Sequence, residues 1–327
     1  FESEFAAMVG AKHAVAVCNA TAALHLAMLV ARIGPGDRVI TSPNTFVASA
    51  NCAAFVGAVP DFCDIDPKTY NICPEALVRD WQDDIKAVVA VAYAGQSADM
   101  PAIAEIARAR GAIVIEDGCH GTGGGFTHQG KDYKIGGHPW ADITTFSFHP
   151  VKTMTTGEGG ILVTDDDQFA QTARLLRSHG ITRDNEEFIG LVDPEISESS
   201  SASSDISAQS TSCHLPSPAL AERGPWYYEM QSLGFNFRIT DLQCALGRSQ
   251  LKRLPEFVSR RRDIVARYND ALAGLPWLET PGVTDEHDRD EISWHLYTVQ
   301  IDFDNIGKSR TEVMSELREQ GIGTQVL

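Results

Sequence analysis

Residues 143–165 read ITTFSFHPVKTMTTGEGGILVTD, and their reading decides the fold. A β-branched and aromatic run, Ile143 to Phe148, stops at His149-Pro150. A lysine, Lys152, follows at once, and a Thr/Gly-rich loop leads into a second apolar run from Gly160 to Thr164. Two short apolar runs bounded by turn residues are the pattern of strands buried in a sheet. The lysine is thereby expected on a loop at the edge of that sheet. A lone lysine is ordinarily a solvated surface charge. Two further strand ends make this one different. AIVIEDGCH ends a buried strand with Asp117, and Thr21 opens a helix after the strand HAVAV.

Working outward, short apolar strands alternate with amphipathic helices from Lys12 to Thr164, which predicts a sheet covered by helices. The expected strands are 13–17, 38–42, 59–65, 85–93, 112–116, 143–148 and 160–164, and the expected helices include 21–31, 45–56, 100–110 and 167–177. In open α/β sheets ligands sit beyond the carboxyl ends of the strands. There the three features converge on one chemistry: a lysine that can form a Schiff base, a carboxylate that can pair with a pyridinium nitrogen, and a helix N-terminus that can hold a phosphate. These are the needs of pyridoxal phosphate.

Composition narrows the alternatives. With 27 basic and 44 acidic side chains the net charge is -17, a surface that repels phosphate backbones, so nucleic acid is not an expected partner. The seven cysteines are scattered singly with no C-x-x-C pair, which predicts reduced thiols and no metal site, Cys119-His120 included. No apolar run reaches the roughly 20 residues of a membrane span. A cytoplasmic protein without a membrane partner is expected. Nine of the sixteen residues from Ser197 to Ser212 are serine, so 192–223 is expected to be a disordered insertion. Beyond it, Thr240 or Asp241 is expected to cap one helix and Pro255 to start a second. TVQID followed by SRTEVMSELREQG begins a smaller α/β unit. The predicted division is a large domain over 1–250 and a small, incomplete one over 251–327. Opening at Phe1, the chain is expected to be a piece of a longer protein.

Eight motifs in order carry a family resemblance: FESEFA, NATAALHLA, SPNTFVASAN, VAYAGQSADM, VIEDGCH, FSFHPVKTMTTGEGG, GFNFRITDLQCALG and SWHLYTVQID. Together they resemble the DegT/DnrJ/EryC1/StrS sugar-nucleotide aminotransferases, pyridoxal-phosphate enzymes of fold type I. The resemblance implies an aspartate-aminotransferase-like fold, with a large mixed sheet covered by helices. It implies that Lys152 is the Schiff-base and proton-shuttling lysine and that Asp117 holds the pyridine nitrogen. Thr21, the Ala22 amide and Ser147 would hold the phosphate. Phe46 would stack on the ring, His120 would lie beside it, and Asn236 would reach the phosphate of the neighbouring subunit in a homodimer. The implied reaction moves an amino group from L-glutamate to C4 of a UDP-linked 4-keto-6-deoxy-N-acetylhexosamine of the pseudaminic acid pathway. Another nucleotide-sugar 3- or 4-aminotransferase, or an inactive binding protein of the same fold, are the alternatives. A dehydratase of this fold carries histidine in place of the lysine, and Lys152 argues against it.

Overall fold

The computed structural model describes residues 1–184, 226–283 and 290–326; the serine-rich stretch 192–223 lies outside them. In chain order the elements are α1 (Glu2–Val9), β1 (His13–Val17), α2 (Ala20–Val30), β2 (Arg38–Thr41), α3 (Ala48–Phe55), β3 (Val59–Phe62), α4 (Pro74–Arg79), β4 (Ile85–Val91), α5 (Met100–Arg108), β5 (Ile113–Asp117), β6 (Gly125–His128), β7 (Lys131–Lys134), β8 (Ile143–Ser147) and β9 (Gly160–Thr164). There follow α6 (Asp167–Arg177), β10 (Ile181–Thr182), β11 (Glu229–Met230), α7 (Asp241–Leu272), β12 (Leu278–Glu279), β13 (Gln300–Ile301), α8 (Phe303–Ile306) and α9 (Arg310–Glu319). The chain divides into two compact units, one formed by 1–173 with 237–327 and the other by 174–236.

The first unit is built on a seven-stranded sheet in the order β1-β9-β8-β5-β4-β2-β3. Pairing is parallel from β3 through β8, while β9 runs antiparallel to both β8 and β1. All seven strands expected from the apolar runs are in this mixed sheet, each within a few residues of the expected limits. Every residue of β8 and β9 is buried, as a strand covered on both faces requires. On one face Phe5 and Val9 of α1 and Leu254 and Val258 of α7 pack on Phe146, Phe148, Ile161 and Val163. The three rings of Phe5, Phe146 and Phe148 meet edge to face at 5.2–5.4 Å. Toward the other end of the sheet Met100, Ile103 and Ala107 of α5 pack with Val88, Ala90 and Val114.

One expectation is corrected. Pro255 does not start a helix: α7 runs through it, a single helix of 32 residues. Its N-terminus is fixed by a capping box, Thr240 Oγ1 accepting from the Gln243 amide while Gln243 Oε1 accepts from the Thr240 amide. Gly247, Leu254, Val258 and Val265 form the buried stripe that carries the helix past the missing proline donor, a loss that propensity alone sets at about 3 kcal/mol. The β6–β7 hairpin lies in a Gly-rich stretch without apolar periodicity, for which the sequence offered no expectation; Phe126 and Tyr133 pair across it.

In the second unit β10 and β11 pair antiparallel, and Asn236 forms an isolated bridge with Ser178. No helix among the described residues is long and apolar enough to cross a membrane.

Candidate active site

The register of the sheet brings the site together. Asp117, the last residue of β5, is paired with Thr145 of β8, and Ser147 two residues on is paired with Gly160 of β9. Directly paired residues share a face and alternate residues return to it, so Asp117, Thr145, Ser147 and Gly160 lie on one face at the carboxyl edge of β5 and β8. The intervening Glu116 and Thr144 face the other way, where Thr144 Oγ1 and His138 Nε2 both donate to Glu116 Oε2 at 3.0 and 3.1 Å.

At this edge α2 begins. Gly160 is necessarily a glycine: a Cβ there would lie 2.5 Å from the Ala20 nitrogen and 2.6 Å from the Asn19 oxygen. The start of β9 is therefore pressed against the first turn of α2. Asn19, not Thr21, is the N-cap, and its side chain accepts from the Ala22 amide at 2.8 Å. The Ala22 amide is thus already engaged, whereas among the described residues the amides of Ala20 and Thr21 donate to nothing. Open amides at a helix N-terminus favour an anion. Ser147 is buried beside them, and its Oγ accepts from the His149 amide at 3.3 Å.

Asp117 is buried and held from two sides. Oδ1 accepts from the Cys119 amide at 3.1 Å and Oδ2 from Ser49 Oγ at 2.7 Å. Burial pushes the Cys119 thiol well above its ordinary range, Asp117 adds to this, and the protonated thiol also donates to that carboxylate.

Lys152 rides on the loop between β8 and β9. The base of the loop is closed by Phe148 N–H donating to Gly159 O at 2.8 Å and by Thr155 and Thr156 both donating to Phe148 O. Burial holds the Lys152 ammonium below its ordinary range, partly offset by Cys119 and Asp117. The same ammonium acts on two histidines. His120 is pushed down to about 2, mostly by burial and then by Lys152 and His295. His295 is pushed down to about 3, by burial, Lys152 and Arg261. Both imidazoles are neutral at physiological pH, their ring centroids 4.6 Å apart.

The turn at Tyr93–Gly95 holds these histidines. Ala94 sits in the left-handed region with φ 56°, uncommon for a residue with a Cβ. Its N–H donates to His120 Nδ1 at 3.3 Å, so the proton of the neutral ring is on Nε2, and its carbonyl accepts from the His295 amide at 2.8 Å. Gly95 lacks the Cβ that would run into the Ser293 carbonyl. Among the described residues His295 Nδ1 is buried without a hydrogen-bond partner.

The structure therefore gathers Lys152, Asp117 and His120 in one electrostatic neighbourhood, with Ser147, Thr21 and Ala22 on the same sheet edge. Phe46 lies one turn before Ser49, 71 % exposed, so it is not the core aromatic that its apolar surroundings in the sequence would permit. Asn236 belongs to the second unit. His295, Ser49 and Cys119 were not singled out from the sequence as site residues. His295 stands in the SWHLYTVQID motif, the one signal that could have found it. The donor set suits pyridoxal phosphate: open amides for a phosphate, a fixed carboxylate for a ring nitrogen, a lysine of lowered basicity, and an unpartnered buried imidazole nitrogen on the ring that packs against His120.

Comparison with known proteins agrees. Residues 1–327 match the DegT/DnrJ/EryC1/StrS aminotransferase family. The chain is 42 % identical to the spore coat polysaccharide biosynthesis protein SpsC of Bacillus subtilis, over all of this chain and 74 % of that protein. Among solved structures it resembles the PMP form of the putative sugar aminotransferase Spr1654 of Streptococcus pneumoniae, with 26 % identity and TM-score 0.80 over 99 % of this chain and 76 % of that one. It also resembles Helicobacter pylori PseC, an aminotransferase involved in the biosynthesis of pseudoaminic acid, with 28 % identity and TM-score 0.77 over 99 % and 75 %. Sequence, fold and site agree that the chain belongs to the DegT/DnrJ/EryC1/StrS aminotransferase family, as a pyridoxal-phosphate-dependent sugar aminotransferase of fold type I.

Proposed function

We propose that this aminotransferase moves an amino group from L-glutamate to C4 of a UDP-linked 4-keto-6-deoxy-N-acetylhexosamine, with Lys152 as its catalytic residue. The observation that carries the reading is the Lys152 ammonium, lowered by burial beside Asp117 at the sheet edge. Lowered basicity makes the amine readier to give up its proton than an ordinary lysine, the property asked of a general acid–base lysine. Pyridoxal phosphate supplies the electron sink for the carbanion formed next to the transferred nitrogen.

The protein's own residues bind and orient. The Ala20 and Thr21 amides, the Thr21 hydroxyl and Ser147 hold the phosphate; the Ala22 amide, bonded to Asn19, contributes through the helix terminus rather than as a free donor. Asp117, fixed by Ser49 and Cys119, takes the ring nitrogen. Phe46 covers the ring from the exposed side. His120 and His295 present neutral rings that leave Lys152 free of a second fixed cation, and Lys152 Nζ carries the proton to and from the reacting carbon.

A homodimer is part of the proposal, with Asn236 of each subunit directed to the partner's phosphate. Its support is a run of exposed large side chains next to Asn236, namely Trp226, Tyr228, Met230 and Leu233, more apolar surface than a solvated segment carries. A second reading keeps the chemistry and changes the sugar: the higher identity to SpsC than to PseC favours a nucleotide sugar destined for another surface polysaccharide. A coupled assay with glutamate and a panel of UDP- and dTDP-linked 4-keto-6-deoxy sugars separates the two. Turnover of the UDP-linked 4-keto-6-deoxy-N-acetylhexosamine alone supports the first, preference for a different sugar supports the second, and no transfer to any of them refutes both.

A further inference from the structure

We propose that Ser49, oriented by Thr45, is a positioning residue that sets the Asp117 carboxylate against the ring nitrogen of pyridoxal phosphate; this rests on the assignment of Asp117 made above. Ser49 is fully buried on α3, a helix whose sequence ASANCAAF is otherwise small and mostly apolar. A buried hydroxyl costs free energy unless it is hydrogen-bonded, and a helical serine ordinarily satisfies itself on the carbonyl one turn back. Ser49 does not. Its Oγ reaches Asp117 Oδ2 at 2.7 Å, across 68 residues of sequence, and Thr45 Oγ1 lies 2.7 Å from the same Oγ.

Chemistry fixes the direction of this chain. With the carboxylate as acceptor, the Ser49 proton goes to Asp117, which leaves Ser49 Oγ to accept from Thr45 Oγ1–H. Donors in series polarise one another, so each strengthens the next. Together with the Cys119 amide on Oδ1, the Ser49 hydroxyl holds one carboxylate oxygen each, and the plane of the group cannot rotate without breaking a bond. The outer end of the relay, Thr45, is only half-buried and adjoins Phe46, the exposed aromatic proposed to cover the ring. The short segment 45–49 would thus serve the cofactor twice, through Asp117, which Ser49 holds, and through Phe46.

The test uses the full chain, stripped of cofactor and titrated with pyridoxal phosphate, with the absorbance of the bound cofactor followed against pH. A hydrogen bond to a charged group gives the scale of the effect. Ser49→Ala is expected to weaken affinity about tenfold and to shift the midpoint of the absorbance profile, while the melting temperature of the cofactor-free protein stays close to that of the unaltered chain. Ser49→Thr, which keeps the hydroxyl, is expected to restore both readouts. Thr45→Val, a milder change at a half-buried position, is expected to move both in the same direction by about two- to threefold in affinity. Ser49→Cys, nearly isosteric and a weaker donor, serves if the alanine variant does not fold. Unaltered affinity and absorbance in Ser49→Ala, with both lost in Asp117→Ala, would overturn the role of Ser49 alone. Unaltered readouts in Asp117→Ala would instead overturn the assignment of Asp117. A loss in Ser49→Ala matched by an equal loss of cofactor-free stability would reduce Ser49 to a structural residue.

Discussion

Gly160→Ala tests whether the sheet and the phosphate site share one contact. A methyl group at this position would stand 2.5 Å from the Ala20 nitrogen and 2.6 Å from the Asn19 oxygen, about 1 Å closer than ordinary van der Waals contact. Neither neighbour can turn aside, because both are backbone. Behind them α2 is anchored by Leu24, Leu26 and Met28, all at most 1 % exposed. Overpacking typically costs about 1–3 kcal/mol, and an obstacle made of backbone belongs at the upper end. For 327 residues an unfolding entropy of roughly 2.1 cal/mol/K per residue converts about 3 kcal/mol into a melting temperature lower by about 4 °C. The shift also moves the open amides of Ala20 and Thr21, so affinity for pyridoxal phosphate is expected to fall about tenfold or more, the worth of one charge-assisted hydrogen bond. Thermal unfolding of the cofactor-free protein and equilibrium titration with cofactor measure the two effects separately. Gly34→Ala is the control: it has nothing within 4 Å of a new Cβ and no left-handed φ, and is expected to be neutral or slightly stabilising. If Gly160→Ala matches Gly34→Ala in both measurements, the close approach of β9 to α2 is not what shapes the site.

Three further outcomes are expected. Lys152→Met should reduce amine transfer by about 10²–10⁴-fold or more, and because burial lowers the ammonium's basicity it should leave the cofactor-free protein at least as stable at neutral pH; a loss of stability there would contradict the burial argument. For His120 and His295 the unfolded chain binds protons near pH 6.5 that the folded chain refuses until about pH 2 and 3, so stability should decline as pH falls from about 6.5 toward 3; the double variant His120→Asn with His295→Asn should flatten that decline in acid-unfolding curves, and an unchanged curve would refute it. Phe46→Ala should alter the melting temperature little, since the ring is 71 % exposed, yet weaken cofactor binding about two- to tenfold, the scale of one ring contact; equal affinity in a titration would remove Phe46 from the site.

The parts of this molecule that could be read from the sequence are those written in local periodicity. Most strands of the main sheet are short, largely apolar runs bounded by turn residues, and the strand ends at Asp117, Ser147 and the loop lysine follow from them. What escaped is non-local or carried by residue types that are common everywhere. His295 lies 143 residues beyond Lys152, and only folding brings its ring against His120. Ser49 looks like any small residue on a helix until its hydroxyl is followed to Asp117. Helix α2 opens one residue before Thr21 with Asn19 as its cap, because Asn19 and Thr21 can each bond a first-turn amide and only backbone geometry chooses between them. Pro255 misleads for the opposite reason: its local rule is sound, but the buried stripe of α7 overrides it.

Glu116 and Asp117 stand next to each other on β5, both buried, and serve opposite faces of the sheet: one ties down the 136–144 segment, the other bonds Ser49 and the Cys119 amide at the carboxyl edge, where the proposed function puts the cofactor. This makes the strand intolerant of length changes. Inserting or deleting a single residue upstream within β5 would exchange the two faces, driving Glu116 toward the ligand and stranding Asp117 among Phe146 and Ile135. Natural length variation among relatives, and any engineered graft, therefore has to be absorbed before the strand begins. The turn at Gly111, with φ +71° and open space around it, is where an extra residue can enter without disturbing either carboxylate.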